Sequence, residues 1–137
     1  MTQQTGNAVI AKRTTEGPVE TAEIRALAEA AGHAVVAEVT QVRREDAGTY
    51  FGSGKLAEIA DRVAETGAQL VVVDGELTPK QSIAVRDALP AGTEVFDRYR
   101  LILEIFAEQA ETRRAQHQVE LARLKYELPR IEETADL

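Results

Sequence analysis

The 137-residue chain has no cysteine, no tryptophan and a single methionine. The lack of cysteine excludes disulfides, a thiolate nucleophile and every cysteine-containing zinc site, and leaves His33 and His117 as the only imidazole donors. A structural metal is not expected. Long apolar runs are also missing, since nothing approaches the roughly 18 consecutive apolar residues of a membrane span. The opening residues MTQQTGNAVIAKR lack the charged start, apolar stretch and cleavage site of a secretory signal, so a cytoplasmic protein is expected. Positive charge is in deficit, with 16 Lys and Arg against 23 Asp and Glu and a net charge of -7. That balance excludes the basic surface of a general nucleic-acid binder, and any contact with RNA must be local.

What is present is one domain's worth of apolar residues, 44% of the chain, in an alternating pattern. Residues 8–13 (AVIAKR), 33–42 (HAVVAEVTQV), 68–74 (AQLVVVD) and 93–97 (TEVFD) read as strands; the third is the continuous apolar run of a strand buried on both faces. Between them, residues 21–31 carry Ile24, Leu27, Ala28 and Ala31 at helical spacing, and residues 54–66 carry Leu56, Ile59, Ala60 and Val63. Thr78-Pro79-Lys80-Gln81 opens a third helix with an N-cap, a first-turn proline and a capping box. The last segment, about Arg98 to Leu128, reads as one long helix ended by Pro129. Four strands alternating with helices predict an α/β three-layer sandwich on a four-stranded parallel sheet, in the order 2-1-3-4. About 30 helical residues would reach roughly 45 Å, further than such a sheet needs, so the end of the last helix is expected to project. The chain then divides into a sheet subdomain (1–100), a long helix (101–130) and an acidic tail (131–137).

In an open parallel sheet, ligands sit at the carboxyl ends of the strands. The loop RREDAGTYFGSGKL ends in Gly52-Ser53-Gly54-Lys55, which would set backbone N–H groups, a hydroxyl and an ammonium at a helix N-terminus. It is not a P-loop, because Thr49 stands at the first glycine position and Leu56 where a magnesium-holding hydroxyl belongs. Two readings stay open here: a phosphate site, or a tight turn with Ser53 as cap and Lys55 in water. Asp74, Glu76 and Asp97 end strands and could converge with Lys55 and Arg98 on a metal-bridged phosphate, Asp74 and Glu76 being the weak metal candidates; alternatively they cap helices, Asp97 most clearly.

The long helix carries Leu103, Phe106, Ala110, His117, Leu121, Leu124 and Leu128 at spacings of three and four once Arg113 or Arg114 fills the gap, a heptad-like seam with a polar middle, flanked by a second stripe of Ile102, Ile105, Val119, Ala122 and Tyr126. Arg113, Arg114, Arg123, Lys125 and Arg130 are interleaved with them as candidates for RNA phosphate contact, or as a solvated face with intrahelical pairs such as Glu127 with Arg123.

Three of these segments resemble the N-terminal domain of the HflX family of ribosome-associated GTPases. Tyr50-Phe51-Gly52-Ser53-Gly54-Lys55-Leu56 is similar to that family's Tyr-Ile-Gly-x-Gly-Lys signature, and Asp74-Gly75-Glu76-Leu77-Thr78-Pro79 to its Asp-x-Glu-Leu-Ser/Thr-Pro turn. The longest likeness is Asp97-Arg98 followed by residues 101–131. Phe51 stands where an aliphatic residue is usual, and Glu127 where bacterial members tend to carry an apolar one. The resemblance implies a domain that binds the large ribosomal subunit and its RNA, acts in ribosome splitting or rescue, and modulates a downstream GTPase domain. It places GTP and Mg in that domain, with no cofactor and no catalytic residue in this chain. A nucleotide, ATP or GTP, at Gly52–Lys55 is the alternative. In this resemblance the second half of the long helix lacks its hairpin partner. A homodimer through residues 114–128, burying Val119, Leu121, Leu124, Tyr126 and Leu128, is therefore expected.

Overall fold

The computed structural model describes residues 6–135; the first five residues of the predicted sheet subdomain and the last two of the predicted tail lie outside the described residues. The elements follow in the order β1 (Gly6–Thr14), α1 (Ala22–Ala30), β2 (His33–Val42), α2 (Ser53–Thr66), β3 (Leu70–Val73), α3 (Pro79–Asp87), β4 (Glu94–Asp97), α4 (Arg98–Gln109) and α5 (Arg113–Ala135). The four strands form one parallel sheet in the order β2-β1-β3-β4, as the alternation predicts. Successive β1 residues point to opposite faces. Ala8 and Ile10 pack with Ile24 and Ala28 of α1 and Leu101 of α4, whereas Val9 and Ala11 pack with Leu56, Ile59 and Val63 of α2 and Val85 of α3. The sandwich therefore has α1 and α4 on one side, α2 and α3 on the other.

The helix starts show why these boundaries hold. Thr78 Oγ1 accepts from the Gln81 N–H at 3.1 Å while Gln81 Oε1 accepts from the Thr78 N–H at 2.9 Å, so the predicted capping box is formed. Asp97 caps α4, its Oδ1 accepting from the Arg100 N–H at 3.0 Å. At α2 the expectation fails: Gly52 is the N-cap, Ser53 is already the first helical residue, and no side chain caps the turn.

The main difference lies beyond Arg98. The expected single helix is two: α4 ends at Gln109, and after Ala110–Thr112 the chain reverses into α5. Thr112 supplies the restart, because its Oγ1 accepts from the Ala115 N–H at 3.0 Å. The long C-terminal helix is present, but it folds back on α4 instead of projecting beyond the sheet. Tyr126 stacks on Tyr99 at 5.8 Å between ring centroids, and Arg100 Nε reaches Glu127 Oε2 at 3.4 Å. Packed on both α3 and α4, α5 passes over the β4 edge of the sheet, leaving a cleft of about 210 Å³ lined by Val95, Phe96, Tyr126 and Arg130. Nor does Pro129 end the helix. It lies inside α5 on an exposed face, where water can take the Lys125 carbonyl that the missing N–H leaves free.

Candidate functional site

At the carboxyl edge of the sheet, the three recognised segments meet. Tyr50 adopts a positive φ of 66° and buries its ring, which stands edge-on to Phe51 at 5.0 Å. Its hydroxyl end lies against Gly75 so closely that a β-carbon there would overlap it. Arg13, from the end of β1, sits over the Tyr50 ring, 4.7 Å from its centroid. The aliphatic-to-Phe51 departure is thus absorbed in the core, where the ring is fully buried. Gly75 in turn gives its carbonyl to the Arg98 N–H at 3.1 Å, which joins the second segment to the third.

Asp74 is the charged centre of this edge. Its side chain is 7% exposed and lies between Lys12 Nζ at 3.0 Å and Arg98 Nη1 at 2.9 Å; Arg98 also holds Glu23 at 3.1 Å. Asp74 and Glu23 both favour the charged guanidinium, raising the Arg98 pKa above its already high ordinary value. The expected partner Lys55 does not join them. It pairs with Glu58 on its own helix at 2.8 Å, while Glu76 is exposed. Asp97 is committed to capping and bracing: besides Arg100, it accepts from the Leu77 N–H at 3.1 Å and lies 3.8 Å from Arg130. The carboxylates Asp74, Glu76 and Asp97 therefore do not converge, and Lys12 and Arg13 are the residues of this edge that strand periodicity alone did not mark.

The turn Gly52-Ser53-Gly54-Lys55 does open a helix. Gly52 donates to Gln41 Oε1 at 3.2 Å, and a side chain there would press on Gln41 and Arg43, whereas Gly54 faces open space. The first turn of α2 thus has N–H groups without a side-chain cap, beside Arg43 and Lys55.

The five basic residues of α5 fall into two sets. Arg130 is internal: it donates to Leu77 O at 2.6 Å, Ser82 Oγ at 3.1 Å and Tyr126 O at 2.8 Å, and lies over the Tyr126 ring at 3.6 Å. Arg123 is held by Glu120 and by Glu127 at 2.6 Å, the intrahelical pairing the sequence left open. Glu127, the second departure, thus bridges Arg123 and Arg100 and ties α5 to α4. By contrast, Arg113, Arg114 and Lys125 are exposed and have no acidic partner among the described residues.

His33 is the buried start of β2, with Nε2 3.8 Å from Glu104 Oε1. His33 and Arg100 together hold the Glu104 carboxyl below its usual range.

Comparison with known proteins matches this arrangement to a family. Residues 19–107 match the profile of the GTP-binding GTPase N-terminal family. The chain is 42% identical over 111 residues to GTPase HflX of Alkalihalophilus pseudofirmus, covering 80% of this chain and 26% of that protein. It is 43% identical over 116 residues to GTPase HflX of Thermofilum pendens, covering 84% and 27%. Among solved structures, a GTP-binding protein of the hyperthermophilic archaeon Sulfolobus solfataricus in complex with GDP superposes with a TM-score of 0.72 at 33% identity, over 93% of this chain and 39% of that one. An SsGBP–GDP complex gives a TM-score of 0.76 at 33% identity, over 95% and 38%. The chain spans about a quarter of the length of its curated relatives. By profile, identity and fold, it belongs to the HflX family, and what it contains is that family's N-terminal domain.

Proposed function

We propose that this chain is a ribosome-binding module of the HflX family, contacting RNA of the large ribosomal subunit and modulating a GTPase domain of the kind its relatives carry, in ribosome splitting or rescue. One observation supports the reading: on an acidic protein, Arg113 and Arg114 stand exposed in the first turn of α5 with no ion-pair partner among the described residues, where the helix N-terminus adds to their positive field. Lys125 extends this surface. Arg123 and Arg130, also proposed from the sequence, contribute less because their donors are engaged within the protein. Ribosome co-sedimentation of the chain and of Arg113→Glu/Arg114→Glu, over a series of salt concentrations, tests this. Loss of two phosphate contacts should weaken pelleting by about tenfold or more and lower the salt slope by about 2; unchanged pelleting removes the role of these arginines.

A nucleotide at the α2 start is the second reading, favoured by the uncapped first turn beside Arg43 and Lys55. Titration calorimetry with ATP and GTP should show weak binding that Lys55→Ala reduces. No heat, or equal affinity in the variant, counts against it.

A further inference from the structure

Among the described residues, Arg130 is the one through which α5 hydrogen-bonds to α3 and to the loop before it. Its Nε donates to Ser82 Oγ and its Nη2 to the Leu77 carbonyl, while Nη1 donates to the Tyr126 carbonyl of its own helix. A planar guanidinium can hold three acceptors at once in fixed directions; the ammonium of a lysine, a point charge on a flexible stem, cannot. Leu77 is held from the other side as well, because its N–H donates to the buried Asp97 carboxylate.

From Leu77 the bonding continues across the sheet's carboxyl edge. The next residue, Thr78, forms the capping box with Gln81, a polar residue only 1% exposed. Gln81 uses both ends of its amide: Oε1 accepts from the Thr78 N–H, and Nε2 donates to the Asp46 carbonyl at 3.0 Å and to Glu45 Oε2 at 2.7 Å. Asp46 and Tyr50 then exchange backbone bonds, each donating its N–H to the other's carbonyl, at 3.1 and 2.9 Å. Two residues after Tyr50 comes Gly52, the N-cap of α2. A run of hydrogen bonds with Gln81 at its buried midpoint therefore joins the last turns of α5 to the start of the glycine turn. Fully satisfied buried networks are rigid, and the loss of one member loosens the others.

We propose that the chain Arg130–Leu77–Thr78–Gln81–Asp46–Tyr50 is a coupling device, through which a change in the seating of α5 alters the glycine turn and a ligand on that turn alters the seating of α5, with equal effect in both directions. Within it Arg130 is a positioning residue and Gln81 the junction. Its use in linking RNA contact to nucleotide binding rests on the two readings above; the device itself is a property of the folded chain.

Amide hydrogen exchange of the 137-residue chain, followed by NMR with no ligand present, tests this. Arg130→Met should lower protection of the Thr78 and Tyr50 N–H groups by about tenfold or more, and Arg130→Lys should do the same although it keeps the charge. Gln81→Met should lower protection at Tyr50 and also in the last turns of α5. Arg123→Met, which removes bonds made only within α5, should leave Tyr50 at its parental value. The β1 amides report the fold as a whole and should be unchanged; if Arg130→Met loosens them too, the milder Arg130→Lys decides. A loss of protection confined to α5 and Thr78, or a parental profile in Arg130→Lys, overturns the device. Ribosome pelleting and calorimetry are separate measurements, whose failure removes the ligands and leaves the exchange result standing.

Discussion

At Tyr50 the backbone adopts a positive φ of 66°, a conformation costing an L-residue about 1–2 kcal/mol, and the surroundings hold it there. Arg13 covers one face of the ring, Phe51 meets its edge, and Gly75 receives its hydroxyl end. This contact explains a glycine in the second motif that no turn geometry demands, since Gly75 has no positive φ. Gly75→Ala should therefore lower stability by about 1–3 kcal/mol in urea unfolding, the usual range for overpacking. Adding Tyr50→Phe should recover part of that loss by removing the hydroxyl nearest the new methyl group; Gly75→Ala with parental stability would show that the ring moves aside freely. Neither residue announces the other in the sequence, where 24 positions separate them. The sequence shows that both segments are distinctive, but only the folded sheet shows that they are distinctive together.

At the scale of elements, legibility followed periodicity and capping chemistry. Strands buried on both faces, the Thr78 box and the Asp97 cap were all readable because local sequence determines them. The α4–α5 break was not, because Ala110-Glu111-Thr112 contains neither glycine nor proline, and the helical spacing can be carried to His117 by letting Arg113 or Arg114 fill the gap. What decides the reversal is tertiary: the Tyr99–Tyr126 stack, the Glu127 bridge to Arg100 and the Arg130 clamp on the β3–α3 loop. Thr112 was the one local signal. This packing has a pH signature. Burial, and then the nearby Asp97 carboxylate, hold the Tyr126 phenol well above its ordinary value of 10.0. A raised pKa in the folded state gives stability that is fully present below about pH 10 and is lost as the pH rises beyond it, because only the unfolded chain then releases the proton. Denaturant midpoints should fall above pH 10, and fall less in Tyr126→Phe; parallel profiles would mean that the phenol ionises as freely in the folded protein as outside it.

Across the whole molecule, the net charge of -7 and the candidate RNA surface are reconciled by segregation. About half of the described carboxylates are ion-paired, as Glu38 is, whose hydrogen bond from Thr21 and pairing with Arg25 keep its carboxyl below the ordinary range, whereas Arg113 and Arg114 have no ion-pair partner among the described residues.

The strand order has a consequence for the way the chain is made. β1 is the earliest of the four sheet strands in chain order and pairs on both sides, with β2 and with β3. Its Ala8 meets Leu70, a residue translated about 60 positions later, which at roughly 5–20 residues per second is an interval of about 3–12 seconds. Throughout that time the β1–α1–β2 unit can form, yet one full edge of β1, with Val9, Ile10 and Ala11 beside it, has no strand to accept its hydrogen bonds. The nascent chain therefore presents the central strand's unpaired edge before the sequence that covers it exists, and a translational pause between residues 42 and 70 would lengthen that exposure in direct proportion.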